Sequence, residues 1–316
     1  PAGGLAGSCK PAHKEALMTC PILFSRVSRL FRCAALSRAA LGAVLAALAL
    51  ILTPPAAQAD ITLTFGTYAA DKPTVTVKKY RPFLSFLEAR LADELGEPVI
   101  IRMKIAKEYG EGISDLATGA VDFARFGPAS YVHVKNADPG IQLITMESKM
   151  GQKRFKGVII VHAKSSITSL EQLKGESFAF GDELSTIGRY LSQAELLDAG
   201  ISSSDLSSFE FLGRHDLVGE AVGAGRFTAG ALKESTYQKL VAKGVPIKVL
   251  TSFDNVTKPW LASSGTDPEI VAAMRRVMLA SENEEIVRRI SRNGFLEGTD
   301  DDYDFVRKGM ERSMSF

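Results

Sequence analysis

From Ile61 onward the chain alternates short β-prone runs with helical stretches, and that alternation leaves few folds open to it. Residues 61–66 (ITLTFG), 99–105, 121–126, 157–162, 177–180, 208–212, 228–232 and 247–250 read as strands. Over 80–95, Phe83, Leu84, Leu87, Leu91 and Leu95 share one helical face, and Gly96 stands where a left-handed C-terminal cap belongs. Shorter helices are predicted over 113–118, 188–199, 217–224 and 235–243, with another opening at 169–172. The last third is helical, with Pro268 in a first turn behind Asp267 and an apolar stripe of Ile270, Met274, Val277 and Met278. The run 157–162 (GVIIVH) lacks polar alternation, as does a strand buried on both faces. The pattern predicts an α/β protein with mostly parallel sheets flanked by helices.

The first 59 residues read as an address rather than as fold. Arg26, Arg29, Arg32 and Arg38 precede an apolar run, 41–52 (LGAVLAALALIL), followed by Ala57-Gln58-Ala59. A basic segment, a short apolar core and a small-residue site define a secretory signal peptide, with cleavage expected between Ala59 and Asp60. The alternative is a membrane anchor, but the run is short of the ~20 apolar residues a spanning helix needs. Met18 is the expected start. The leader takes all three cysteines with it, Cys9, Cys20 and Cys33, so the body has no thiol for a disulfide, a zinc cluster or catalysis. It also takes six basic residues and one acidic one, which turns a formal charge of +2 into −3. A nucleic-acid partner is thereby disfavoured, and a soluble, cysteine-free exported protein points to a bacterial periplasm. The ordinary composition, 46% hydrophobic and 23% charged, excludes disorder for most of the chain.

No G-x-S-x-G elbow, P-loop, G-x-G-x-x-G or H-E-x-x-H motif occurs, so no enzyme chemistry is expected, nor a cofactor or metal. His133 and His162 have no neighbours at metal-ligand spacing and read as structural, and Trp260 reads as core or hinge packing. Three loops that follow strands and precede helices carry small and hydroxyl residues: Gly66-Thr67-Tyr68, Gly127-Pro128-Ala129-Ser130-Tyr131 and Ser185-Thr186-Ile187-Gly188. Helix N-termini present unpaired N–H groups and a partial positive charge, so such loops can build an anion-binding crevice. Alternatively, Ser185 and Thr186 cap their helix, and Tyr68 and Tyr131 are packing residues. His215-Asp216 is equally divided between a pocket pair and a helix cap at Asp216. Glu234 is either a pocket acceptor or a solvated first-turn residue.

The ordered set Phe126-Gly127-Pro128-Ala129-Ser130-Tyr131, 166–175 (SITSLEQLKG), Ser185-Thr186-Ile187-Gly188, Gly213-Arg214-His215-Asp216, Ala229-Gly230-Ala231 and Glu234-Ser235-Thr236-Tyr237 resembles the phosphate/phosphite/phosphonate-binding family of ABC-transporter solute-binding proteins. The resemblance covers roughly residues 60–260. It implies a two-lobed, type II periplasmic-binding-protein fold, with 60–156 plus 251–316 in one lobe and 157–250 in the other. It also implies a small anionic ligand, a phosphorus oxyanion, held in the interlobe cleft of a monomer that docks on a membrane permease. The implied ligand residues are Thr67, Tyr68, Ser130, Tyr131, Ser185, Thr186, Gly188, His215, Asp216 and Glu234. Three departures bear on the ligand: Ile187 replaces a hydroxyl residue of the family's Ser-Thr-Ser-Gly, Thr228 stands where an acidic residue often precedes the Ala-Gly-Ala turn, and 261–264 (LASS) lacks the basic residue often found after the return hinge. The other readings are a ligand-sensing module that signals to a membrane partner, and the same fold binding an unrelated small polar solute.

Overall fold

The computed structural model describes residues 60–69 and 72–316; the leader and its expected start at Met18 lie outside them. Strands β1 (Ile61–Tyr68) and β2 (Val99–Ala106) are joined by helix α1 (Pro73–Leu95), and α2 (Tyr109–Ala117) leads into β3 (Phe123–Arg125). Helix α3 (Pro128–Ala137) and β4 (Gln142–Glu147) follow, and then β5 (Arg154–His162) opens a second sheet with β6 (Ser177–Phe180). A π-helical turn, Thr186–Tyr190, runs into α4 (Leu191–Asp198). Next come β7 (Ser208–Phe211), α5 (His215–Gly223), β8 (Ala229–Lys233), α6 (Glu234–Ala242) and β9 (Ile247–Val256). The chain then returns as β10 (Pro259–Ala262), α7 (Pro268–Ala280), α8 (Glu285–Ile290), β11 (Phe295–Leu296) and α9 (Asp304–Ser313).

Six strands form one sheet in the order β11-β4-β10-β3-β1-β2, and five form the other in the order β7-β6-β8-β5-β9. The α/β class and the two-sheet architecture agree with the expectation, but the sheets are mixed rather than mostly parallel. In the first, only β2, β1 and β3 run parallel, while β10, β4 and β11 are joined by antiparallel ladders. In the second, β7, β6 and β8 are parallel, and β5 is antiparallel to both β8 and β9. The strands that flank the two helix-free links between the sheets, β4 to β5 and β9 to β10, all make antiparallel ladders.

Each sheet buries both faces, as period-2 side-chain alternation dictates. On β5, Ile159 and Val161 belong to one cluster and Val158 and Ile160 to the opposite one, all at 0–1% exposure, which explains the unbroken apolar run. On the first sheet, Phe65, Trp260 and Phe295 pack with Phe83, Leu84 and Leu87 of α1 and Met274 of α7. The opposite face buries Ala124, Tyr131, Leu261 and Tyr303. Trp260 is core: its ring lies 5.4 Å from Phe65, 5.1 Å from Phe83 and 5.9 Å from Phe295.

Helix α1 ends as predicted, with Gly96 at φ 73° and its N–H donating to the Ala92 carbonyl at 2.9 Å. It begins seven residues earlier than the apolar stripe suggested, with Pro73 in its first turn, because 73–79 is largely exposed and carries little core signal. The C-terminus also departs from the expected placement of 251–316 with the first sheet. Val306 of α9 packs on that side, whereas Phe316 stacks edge-on against Phe180 and Phe209 of the second sheet. Its carbonyl accepts the Ser203 N–H at 3.2 Å. The tail therefore ties the two sheets together as a third connection.

Candidate functional site

A cavity of about 510 Å³ lies between the sheets, where the carboxyl ends of β1 and β3 face the starts of the π-helical turn, α5 and α6. Of the expected ligand residues, Thr67, Tyr68, Ser185, Thr186, His215 and Glu234 line it. The rest sit elsewhere. Ser130 is buried against Tyr68, with the two hydroxyls 2.8 Å apart. Tyr131 is a packing residue: it donates to Asp300 at 2.6 Å and meets Tyr303 edge-on. Gly188 holds the backbone rather than facing the cavity, because a Cβ there would come within 2.8 Å of the Gly181 Cα. Its carbonyl accepts the Gly181 N–H at 2.8 Å, which pins the π-helical turn to the end of β6. Asp216 turns away to a two-pronged ion pair with Arg214, both contacts at 3.0 Å, and lines a small separate groove. Its place in the first turn of α5 is not the cap position, which Arg214 holds.

The hydroxyl cradle is assembled across the two sheets. Gly127 and Ala129, at the N-terminus of α3, donate their N–H groups to Tyr68 Oη at 2.7 Å and to Thr186 Oγ1 at 2.8 Å. Ser185 Oγ accepts the Gly188 N–H at 3.0 Å and so caps the turn, as one of the two sequence readings had it. A hydroxyl that accepts a backbone N–H keeps its own proton to donate, and the hydrogen bond it accepts makes it a stronger donor. Burial pushes the Tyr68 phenol up to about 12, against the opposing hydrogen bonds of Ser130 and Gly127, so it stays protonated at neutral pH. Its ring is held by Tyr109 and Phe126, with centroids 3.7 and 5.2 Å away.

The wall also carries charge that no local motif announces. Arg125, at the end of β3, grips Glu147, at the end of β4, through two 2.8 Å bonds, with side chains only 12% and 13% exposed. Lys79 of α1 has its ammonium 5.1 Å from the centroid of the Tyr80 ring, and Lys258, between β9 and β10, lies 5.4 Å from that of Phe155. Lys233, at the end of β8, is buried and completes the group. Glu147 and Glu234 are the carboxylates among the described lining residues, and each is engaged, Glu234 by Lys149 at 2.9 Å. Burial works to raise the Glu147 carboxyl, but the Arg125 and Lys79 charges outweigh it and hold the group below its ordinary range. Burial, reinforced by Arg125 and Lys233, pushes the Lys258 ammonium well down. Sequence reading missed this cluster because its members come from five elements. Lys258 precedes the stretch searched for a basic residue after the return hinge, and no signal short of the strand pairing places it there.

Burial first, and the Arg125 charge second, push the Lys79 amine down to about 7 from an ordinary 10.5. Between those two values the unfolded chain holds one more proton at this group than the folded protein. Its contribution therefore destabilises the fold fully below pH 7, and stability recovers as pH rises toward 10.5. NMR of the Lys79 side chain is expected to give a titration midpoint near 7 that moves upward when an anion fills the cavity; a midpoint at the ordinary lysine value would show that the amine is solvated.

Three comparisons bear on the site. The profile of a family described as the periplasmic substrate-binding protein of phosphonate ABC transporters matches residues 65–303. A probable ABC-transporter phosphite-binding protein, PhnD1 of Prochlorococcus marinus, is 30% identical over 138 residues, 41% of this chain and 46% of that protein. The match thus spans about half the length of that curated relative. The solved structure of PhnD1 from Prochlorococcus marinus with methylphosphonate has a TM-score of 0.71 at 20% identity, covering 81% of this chain and 99% of that one. A binding component of a phosphonate ABC transporter from Pseudomonas aeruginosa has a TM-score of 0.69 at 16% identity, covering 81% and 87%. At such identities the structures establish the shared fold.

Proposed function

Because this chain belongs to the family of periplasmic substrate-binding proteins of phosphonate ABC transporters, we propose that it captures a phosphorus oxyanion in the cavity between its sheets and delivers it to a membrane permease. The observation that carries the reading is the pairing of the α3 N-terminus, with its Tyr68 and Thr186 hydroxyls, and a wall in which cations outnumber carboxylates. The hydroxyls supply oriented donors, and the cations supply charge-assisted bonds that strengthen as water is excluded. In this proposal Thr67, Tyr68, Ser185, Thr186 and His215 face the ligand. Ser130 and Gly188 support them, Tyr131 packs behind the cradle, and Asp216 is spent on Arg214. Glu234, which also lines the cavity, bonds to Lys149.

We assign one lobe to 60–156 and 251 to about 303 and the other to 157–250, with the chain crossing between them along β5 and along β9. Helix α9 spans both. Closure is a hinge motion of the kind that sequesters ligands in bilobal proteins. The protein is placed in the periplasm as a monomer, after cleavage before Asp60. No helix of the described residues is long and apolar enough to cross a membrane.

Mass spectrometry of the ligand co-purified with the 60–316 protein is expected to find an organophosphorus anion or phosphate. Calorimetry with phosphate, phosphite, methylphosphonate and sulfate should then show binding of at least one phosphorus oxyanion in preference to sulfate. Saturation should raise the melting temperature in a concentration-dependent way and reduce the radius of gyration in small-angle scattering. Absence of binding by every phosphorus oxyanion overturns the reading.

A further inference from the structure

The cavity has more room than a single oxyanion fills, and it carries basic side chains besides its hydroxyl cradle. Its 510 Å³ falls within the roughly 300–1,000 Å³ of sites that take drug-sized organic ligands, whereas phosphite or methylphosphonate is only a few heavy atoms. Around Glu147 stand Arg125, Lys79 and Lys258, three basic side chains to one carboxylate. Glu147 is committed to Arg125. Neither Lys79 nor Lys258 makes an ion pair among the described residues; each ammonium lies instead over an aromatic ring. Beside Lys258, Thr257 is 3% exposed, lines the cavity and has a hydroxyl with no hydrogen-bond partner among the described residues. A buried hydroxyl left unbonded costs free energy, and so does charge on two half-buried lysines without a carboxylate partner; a ligand's acid group offsets both.

We propose that Lys79, Arg125, Thr257 and Lys258 form a second anion subsite, so that the ligand is an organophosphorus compound with a further acid group at its other end, as in a phosphonocarboxylate. The inference rests on the reading of the cavity as a phosphorus-oxyanion site and specifies what the rest of the ligand carries. The hydroxyl cradle takes the phosphonyl group, which leaves the Lys79 and Lys258 amines and the Thr257 hydroxyl for another anionic group. That second acid group reaches the return hinge. There it bonds to residues from α1, β3 and the β9–β10 link and so bridges the elements that the closing motion moves. A positively charged tail meets the same wall as repulsion.

Calorimetry on the 60–316 protein tests this with four probes: methylphosphonate, ethylphosphonate, 2-aminoethylphosphonate and phosphonoacetate. Phosphonoacetate is expected to bind at least 10-fold more tightly than ethylphosphonate, and 2-aminoethylphosphonate more weakly than ethylphosphonate. Lys258→Gln and Lys79→Gln, made separately, should each lower phosphonoacetate affinity about 10- to 150-fold while changing ethylphosphonate far less. Thr257→Val offers a third, milder variant should either lysine variant fold poorly. Equal affinity for ethylphosphonate and phosphonoacetate in the parent protein overturns the second subsite and leaves the proposed function standing. Failure of all four probes overturns the second subsite, and the proposed function falls with it only if phosphate and phosphite fail as well.

Discussion

Glu147→Gln is expected to lower the stability of the ligand-free protein by about 3–5 kcal/mol, the range seen when one member of a buried ion pair is removed. The amide keeps the shape of the carboxylate and one acceptor oxygen but not the charge. Arg125 then stays largely buried with Lys79, Lys233 and Lys258 around it, and the mutual repulsion that Glu147 offsets is uncovered. The same change hands Arg125 to a ligand. Saturating phosphorus oxyanion should therefore stabilise Glu147→Gln more than it stabilises the parent, whose gain at 100-fold excess over Kd is about 2.7 kcal/mol. Urea titration with and without anion reads both quantities. A loss below about 1 kcal/mol would mean that the pair behaves as a surface salt bridge and that the cluster is hydrated.

Trp260→Ala should cost about 3–5 kcal/mol, as large aromatic truncations in a core do. Trp260 is fully buried on the central strand β10, between β3 and β4, and touches the aromatic cluster of Phe65, Phe83 and Phe295. The strands it separates are the ones that carry Arg125 and Glu147, so affinity should fall along with stability. Trp260→Phe sharpens the test. The indole N–H has no hydrogen-bond partner among the described residues, so phenylalanine forfeits volume but no hydrogen bond and should be much less damaging. Thermal unfolding of the two variants distinguishes the cases. A Phe variant as unstable as the Ala variant would show that the indole nitrogen does hold a bond, and a loss under about 2 kcal/mol for Ala would show that the cluster collapses into the gap.

Much of the protein was legible in order along the chain. The helical stripe on α1 and its Gly96 cap, the doubly buried strand at 157–162 and the hydroxyl loops at 67–68 and 185–186 are local patterns, because periodicity and capping are set within one or two turns of backbone. Those patterns, with their family order, determined the α/β class, the bilobal architecture and the hydroxyl half of the cavity.

What only the tertiary structure decided was non-local. Strand pairing put β10 antiparallel in the middle of the first sheet, made the sheets mixed and turned Trp260 into core. The same pairing brought Lys79, Arg125, Glu147, Lys233 and Lys258 to one wall, though up to 179 residues separate them in sequence. Rotamer and partner choice separated His215, which lines the cavity, from Asp216, which bonds to Arg214, although the two are adjacent and equally polar. A sequence fixes which side chains are available and in what local conformation; which of them share a low-dielectric space, and so shift one another's charge, depends on pairing between distant strands, and that has no period to read.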